Sequence, residues 1–325
     1  MTKNTLVITE SMTLKRKDLL DISALSQDEI IYIFEAAKIF KKVFTESNKK
    51  FSFLSGRTVC MLFIEPSTRT RLSFEIAAKR LSGDVISVAP STSSLVKGES
   101  LIDTVKTLEA MKTGFIVMRH PVSLAPDFLS RNCEAHVVNG GDGNHAHPTQ
   151  ALLDGFSVYE RSGSLKGLRV AIVGDIKHSR VARSGIELFT KMGSDVVLCG
   201  PPTLLPDDFS QYGIEMTFDL DSILPKLDVV NMLRIQLERQ KGSLFPSIRE
   251  YNKYFSLTKD RLKKCRKDVI VMHPGPINRG IEIDDFVADC ENAIIEEQVT
   301  NGIAVRMAVF SLLCGKTLED INKEK

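Results

Sequence analysis

Short β-rich runs alternate with helical patterns along almost the whole chain, and the alternation occurs twice. In the first half the runs are RTVCMLFI from Arg57, DVISV from Asp84, GFIVMR from Gly114 and AHVVNG from Ala135, interleaved with a helical pattern from Thr70 to Ser82 and with ESLIDTVKTLEAMK from Glu99. In the second half they are LRVAIVGD, SDVVLCG, GIEMTF, LDVVNML and DVIVMH. Such alternation gives parallel sheets covered by helices, because each return to the same end of a sheet needs a crossover. The helical pattern HPTQALLDGFSVYERSG from His147 joins the halves and runs into the polar stretch RSGSLKG. Ahead of the first sheet, Ser26 and Glu29 form a capping box, and Ile30, Ile33, Phe34, Ala37 and Phe40 recur at helical spacing. At roughly 150 residues per domain, 325 residues make two. The expected fold is therefore α/β with two domains, each a parallel sheet flanked by helices, and an active site in the interdomain cleft. The expected boundaries are residues 1–147 and 148–297, with an apolar helix over 298–316 packing back on the first domain.

One junction concentrates charge. FIEPSTRTRLSFE, residues 63–75, turns from an apolar run into a helical pattern, so Pro66, Ser67, Thr68 and Arg69 form the turn that feeds a helix N-terminus. Backbone N–H groups and the positive end of the helix dipole converge there, hydroxyls add neutral donors, and a guanidinium can bind two phosphate oxygens at once. The stretch reads as a phosphate site. The plainer alternative is that Ser67 and Thr68 cap the helix while Arg69 and Arg71 face water. A net charge of only +2 lacks the basic excess of a dedicated nucleic-acid binder, so any positive field is local. Six scattered cysteines without a C-x-x-C pair, and no secretory leader, point to a reducing cytoplasm. No apolar run approaches the roughly 20 residues that span a bilayer, so membrane insertion is not expected.

Further polar clusters fall at expected strand ends, where open parallel sheets bind ligands: MRHP at 118, HPTQ at 147, GDIKHSR at 174, MLRIQLER at 232 and HPGP at 273. STRTR, SSLVKGES, MRHP, GDGNHAHPTQ, GDIKHSR, the R-x-Q-x-E-R pattern and HPGP, in that order and spacing, resemble the aspartate/ornithine carbamoyltransferase family from about Leu14 to Gly315. STRTR and HPTQ mark only the wider family. HPGP stands where ornithine enzymes carry HCLP, and no SMG loop is present, so the resemblance is to the aspartate branch. Arg180, Arg234 and Gln236 supply the donors that a dicarboxylate acceptor requires.

The resemblance implies transfer of a carbamoyl group from carbamoyl phosphate to L-aspartate, an early step of pyrimidine biosynthesis, with no cofactor and no metal. It implies that Ser67, Thr68, Arg69, Thr70 and Arg119 hold the phosphate, and that His147 and Gln150 hold the carbamoyl group. Arg69, Thr70, Arg119 and His147 form the catalytic set, the last three donating to the carbonyl oxygen. Gly275 and Pro276 contact carbamoyl phosphate through the backbone, and an X-Pro bond there is a candidate cis peptide. Lys97, which also binds aspartate, and Ser94, with Ser93 as the alternative, would enter the neighbouring subunit's site, which implies a homotrimer or a multiple of trimers. Glu65 would bridge to Arg180 and Arg239 on domain closure; its alternative is local pairing with Arg69 or Arg119. His145 and His147 form an H-x-H pair, but only Asp142 could extend a ligand set, so His145 reads as structural.

Rival readings are weaker. VAIVGDIKHSRVARSG has the strand-turn-helix of a dinucleotide site without G-x-G-x-x-G, which argues against an NAD-dependent oxidoreductase. A non-enzymatic sensor would not need the whole reacting-centre set. Within the family, ornithine or N-acetylornithine is the alternative acceptor. Whether a regulatory chain or dihydroorotase binds is left open by the sequence.

Overall fold

The computed structural model describes residues 11–47, 49–88, 99–206, 209, 213–235 and 247–325. Helix α1 (Gln27–Glu46) opens with the expected capping box: the Ser26 side chain accepts from the Glu29 N–H and the Glu29 carboxylate accepts from the Ser26 N–H. Its stripe of Ile30, Ile33, Phe34, Ala37 and Phe40 is buried. There follow β1 (Thr58–Phe63), α2 (Thr68–Arg80), β2 (Asp84–Val88), α3 (Leu101–Ala110), β3 (Thr113–His120), α4 (Ala125–Ser130), β4 (His136–Asp142) and α5 (Pro148–Ser162). The four strands form a parallel sheet in the order β2-β1-β3-β4.

The second sheet is built from β5 (Arg169–Val173), β6 (Asp195–Cys199), β7 (Glu215–Thr217), β8 (Val229–Met232) and β9 (Ile270–Met272). It is also parallel, in the order β7-β6-β5-β8-β9. Helices α6 (Arg180–Lys191), α7 (Leu220–Ile223), α8 (Ile248–Phe255), α9 (Lys259–Leu262) and α10 (Asp285–Ala288) belong to this half, and α11 (Ile295–Leu313) and α12 (Leu318–Glu324) close the chain. Central strands read as continuous apolar runs because both faces are covered. Their side chains fill one core around Cys60, Leu62, Ile116, Met118 and Val137, and another around Ala171, Val173, Val197, Val230 and Val271. Burial pushes the Cys60 and Cys199 thiols up to about 12, so these cysteines act as small apolar residues.

One local expectation changes. Helix α2 begins at Thr68 rather than Thr70, because Ser67 is the last residue with extended backbone, at φ −163° and ψ 95°. Arg234 lies two residues beyond the end of β8, in irregular chain.

The chain divides into two units, Met1–Leu153 with Val299–Lys325, and Asp154–Gln298. In the first unit Phe310 of α11 is fully buried and meets two aromatic rings edge-on, Phe74 of α2 at 5.9 Å and Phe115 of β3 at 5.3 Å. Beside it, Arg306 donates to Ser73 Oγ at 2.8 Å and lies over the Phe74 ring. Replacing a ring so enclosed leaves a cavity, so Phe310→Ala is expected to cost about 3–5 kcal/mol. Chemical denaturation checks this, and a loss below about 1 kcal/mol would show that α11 contributes little to the first unit.

Candidate active site

In an open parallel sheet, loops leaving the carboxyl ends of the strands gather on one edge, and a crevice opens where successive connections leave in opposite directions. In the first sheet that switch lies between β1 and β3. Phe63 pairs with Arg119 across it, and the Ile64 N–H donates to the Arg119 carbonyl at 2.8 Å. The β1 exit, which becomes α2, is therefore fixed beside Arg119. The Arg119 guanidinium is held by Glu65 Oε1 at 2.7 Å and the Gly140 carbonyl at 3.2 Å. Glu65, on the β1 exit, is thus paired with Arg119 of the same unit.

Among the described residues, the start of α2 differs from the other serine-led helices. Ser26, Ser100, Ser179 and Ser247 each accept a backbone N–H of the first turn, whereas Ser67 makes no such bond and the first turn of α2 contains no acidic residue. Capping therefore does not explain Ser67. Thr68, Arg69 and Thr70 occupy the first turn, whose N–H groups have no acceptor within a helix. Hydroxyls, N–H groups and the positive dipole end stand together without a carboxylate on that turn, a donor set suited to a phosphate.

The second sheet has its switch between β5 and β8. Val173 pairs with Met232 there, and the Leu233 N–H donates to the Val173 carbonyl at 2.8 Å. Arg180 opens α6 after β5, and Arg234 follows β8, so the two expected aspartate-binding arginines flank the switch. Arg180 is 3 % exposed. The turn before it is shaped by Asp175, which accepts from the His178 N–H at 3.2 Å and meets His178 Nδ1 at 2.9 Å. Gly174 has φ +129°, and a Cβ on it would stand 3.2 Å from Leu233 Cβ, so the β5 and β8 exits run close together. The Gly275–Pro276 bond, after β9, is cis. Lys97, Ser94, Gln236 and Arg239 lie outside the described residues.

Sequence reasoning missed two acceptors that set the loops. Glu282, fully buried, receives the Asn278 N–H at 2.7 Å and the His273 ring at 3.1 Å. Asp142, also fully buried, organises the loop that delivers His147 to the start of α5. It accepts from the Leu124 N–H at 2.6 Å, Asn139 Nδ2 at 2.8 Å and the Ala146 N–H at 3.1 Å, and its carboxylate meets His145 Nδ1 at 3.0 Å. His145 is thereby tied to the buried carboxylate of its own loop. Asp127, Asp142 and His145 place potential ligand atoms within 4.8 Å of one another, but the Asp142 oxygens are already occupied by these donors. Gly143 needs φ +44°, and a Cβ there would overlap Ser123, so this loop packs directly on the chain leaving β3. His147 and Gln150 are buried at the head of α5.

The His145–Asp142 bond, opposed by burial, raises the His145 pKa; burial would raise that of Asp142, but bonds from His145 and Asn139 hold it below the ordinary value. A raised histidine stabilises fully below its unfolded value of about 6.5, and that contribution is lost as pH rises through the folded value. The lowered Asp142 contributes above about 3.9 and loses its contribution on acidification. His145→Asn is accordingly expected to lower the denaturation midpoint more at about pH 6 than at about pH 9. An equal loss at both would remove the charged pair from the account.

Comparison with known proteins matches both units. Residues 17–160 match the family described as aspartate/ornithine carbamoyltransferase, carbamoyl-P binding domain, and residues 166–313 match its Asp/Orn binding domain. The aspartate carbamoyltransferase catalytic subunit of Endomicrobium trichonymphae is 54 % identical over 302 residues, covering 93 % of this chain and 97 % of its own. Among solved structures, aspartate transcarbamoylase from Trypanosoma cruzi in complex with carbamoyl phosphate and aspartate is 29 % identical with a TM-score of 0.82, covering 91 % of this chain and 96 % of its own. Ornithine carbamoyltransferase from Pyrococcus furiosus is 30 % identical with a TM-score of 0.83, covering 94 % and 99 %. With both family domains matched in order across nearly its whole length, the chain belongs to the aspartate/ornithine carbamoyltransferase family.

Proposed function

We propose that the chain transfers the carbamoyl group of carbamoyl phosphate to the amine of L-aspartate, giving N-carbamoyl-L-aspartate and phosphate, an early step of de novo pyrimidine synthesis. The observation that carries this reading is the uncapped, carboxylate-free first turn of α2 fixed beside Arg119 at the sheet's switch point. Ser67, Thr68, Arg69, Thr70 and Arg119 hold the phosphate; His147 and Gln150 hold the carbamoyl group; Gly275 and Pro276 add backbone contacts. The amine attacks unprotonated, the C–N bond forms as negative charge develops on the carbonyl oxygen, and the C–O bond to phosphate breaks. Thr70, Arg119 and His147 stabilise that charge, and the departing phosphate takes the amine proton. Catalysis then rests on orientation and preorganised donors, with no covalent enzyme intermediate required.

The acceptor needs its own argument, because the aspartate and ornithine enzymes above are about equally similar in fold. Arg180 and Arg234 at the second switch point, with Lys97 and Gln236, suit two carboxylates, and each charge-assisted bond contributes about 1.5–3 kcal/mol. Relatives at just over half identity bear the aspartate enzyme's name. A transfer assay with carbamoyl phosphate against aspartate, ornithine, putrescine and N-acetylornithine should give turnover with aspartate. Faster turnover with ornithine would transfer the chain to the other branch.

The assembly is a homotrimer or a multiple of trimers, with Lys97 and Ser94 supplied to the neighbouring subunit's site. Support comes from Leu72 and Ile76, exposed on one face of α2, and Ile86 on edge strand β2, apolar surface suited to a subunit contact. Six free thiols suit a cytoplasmic location, and among the described residues no single helix is long and apolar enough to cross a membrane. Arg69→Ala and Lys97→Ala are each expected to be nearly inactive, yet subunit exchange between them should regenerate activity. Verified exchange without recovery would confine each site to one chain.

A further inference from the structure

The buried Glu282 sits at the crossing of two loops that the functional reading assigns to different substrates. Its Oε1 receives the Asn278 N–H at 2.7 Å and pairs with His273 Nε2 at 3.1 Å, and neither side chain of the His273–Glu282 pair is exposed. His273 Nδ1 accepts the Gly275 N–H at 2.8 Å. Nδ1 is therefore an acceptor, so the ring proton is on Nε2 and is donated to Glu282. The same residue's backbone N–H donates to Gln298 Oε1 at 3.1 Å, and Gln298 Nε2 donates to Asp154 Oδ1 at 2.7 Å, which fixes the ring's base. On the other side, Asn278 Nδ2 reaches the Ile235 carbonyl at 3.2 Å, one residue beyond Arg234. One carboxylate oxygen thus serves both the Gly275–Pro276 turn and the strand exit carrying Arg234.

We propose that Glu282 is a positioning residue for the transfer reaction, setting the Gly275–Pro276 turn through His273 and the Arg234 exit through Asn278, so that carbamoyl phosphate and aspartate contacts share one anchor. This rests on the functional reading above. Glu282 touches neither substrate. Its effect is geometric: losing the acceptor leaves the buried His273 ring N–H and the half-buried Asn278 N–H without this partner, and both turns relax to new positions.

The test uses steady-state kinetics of the full-length chain, with folding checked by circular dichroism and thermal melting. Glu282→Met keeps the bulk and removes the acceptor, and is expected to raise KM for both substrates by about tenfold, the scale of one lost hydrogen bond. Glu282→Gln, whose amide oxygen can accept both bonds, should bring both KM values back to within about twofold of wild type. Asn278→Ala cuts only the Ile235 link and should raise the aspartate KM while leaving that of carbamoyl phosphate in place. A Glu282→Met enzyme that loses kcat in step with its folded fraction, at unchanged KM values, would reduce Glu282 to a stabilising residue and overturn the proposal. Equal defects in the Met and Gln variants would do the same. If Glu282→Met does not fold, Asn278→Ala decides, because an unchanged aspartate KM in that variant also overturns the shared anchor. Wild-type protein without aspartate transfer would instead remove the functional reading itself, a result visible before any variant is made.

Discussion

Parallel pairing puts every strand's carboxyl end on the same edge of its sheet, and this chain hangs its polar clusters on that constraint. In the first sheet the pairing of Phe63 with Arg119 places the α2 entry beside a guanidinium that lies far away in sequence. The β3–β4 pairing, which sets His120 opposite Asp142, brings in the His147 loop. In the second sheet the Val173–Met232 pair does the same for Arg180 and Arg234. Strand register is fixed by buried Val, Ile and Leu side chains, so the core that stabilises each sheet also decides which polar groups become neighbours.

The broad plan was legible because it depends on local signals. Strand runs such as VCMLF and VAIV are short, apolar and bounded by turn residues, and Ser26 with Glu29 announces its helix within four positions. The clusters after the strands could be placed for the same reason. What stayed hidden depends on distance or on an absence. That Ser67 does not cap is invisible in a sequence where serine before a helical pattern ordinarily caps. Asp142 reads as one acid in a polar loop and Glu282 as one in IEIDDF; only folding shows each as a fully buried acceptor at a junction.

Each unit uses a buried carboxylate in the same way. Asp142 gathers Leu124, Asn139, His145 and Ala146, and Glu282 gathers His273 and Asn278. In both cases the anion is satisfied by backbone N–H, amide and imidazole groups close to it in the chain, which fixes the shape of its loop.

The return of α11 to the first unit also orders the making of the protein. Residues 154–298 form a contiguous stretch, so the second unit can assemble its sheet as soon as that stretch leaves the ribosome. The first unit cannot finish then: Phe74 and Phe115 are synthesised early, but Phe310, the ring that covers both, follows only after residues 154–298. Until then the first unit carries an open apolar seam on α2 and β3, while the second is already able to close its core. The nascent chain's exposure to aggregation is thus concentrated in the half translated first.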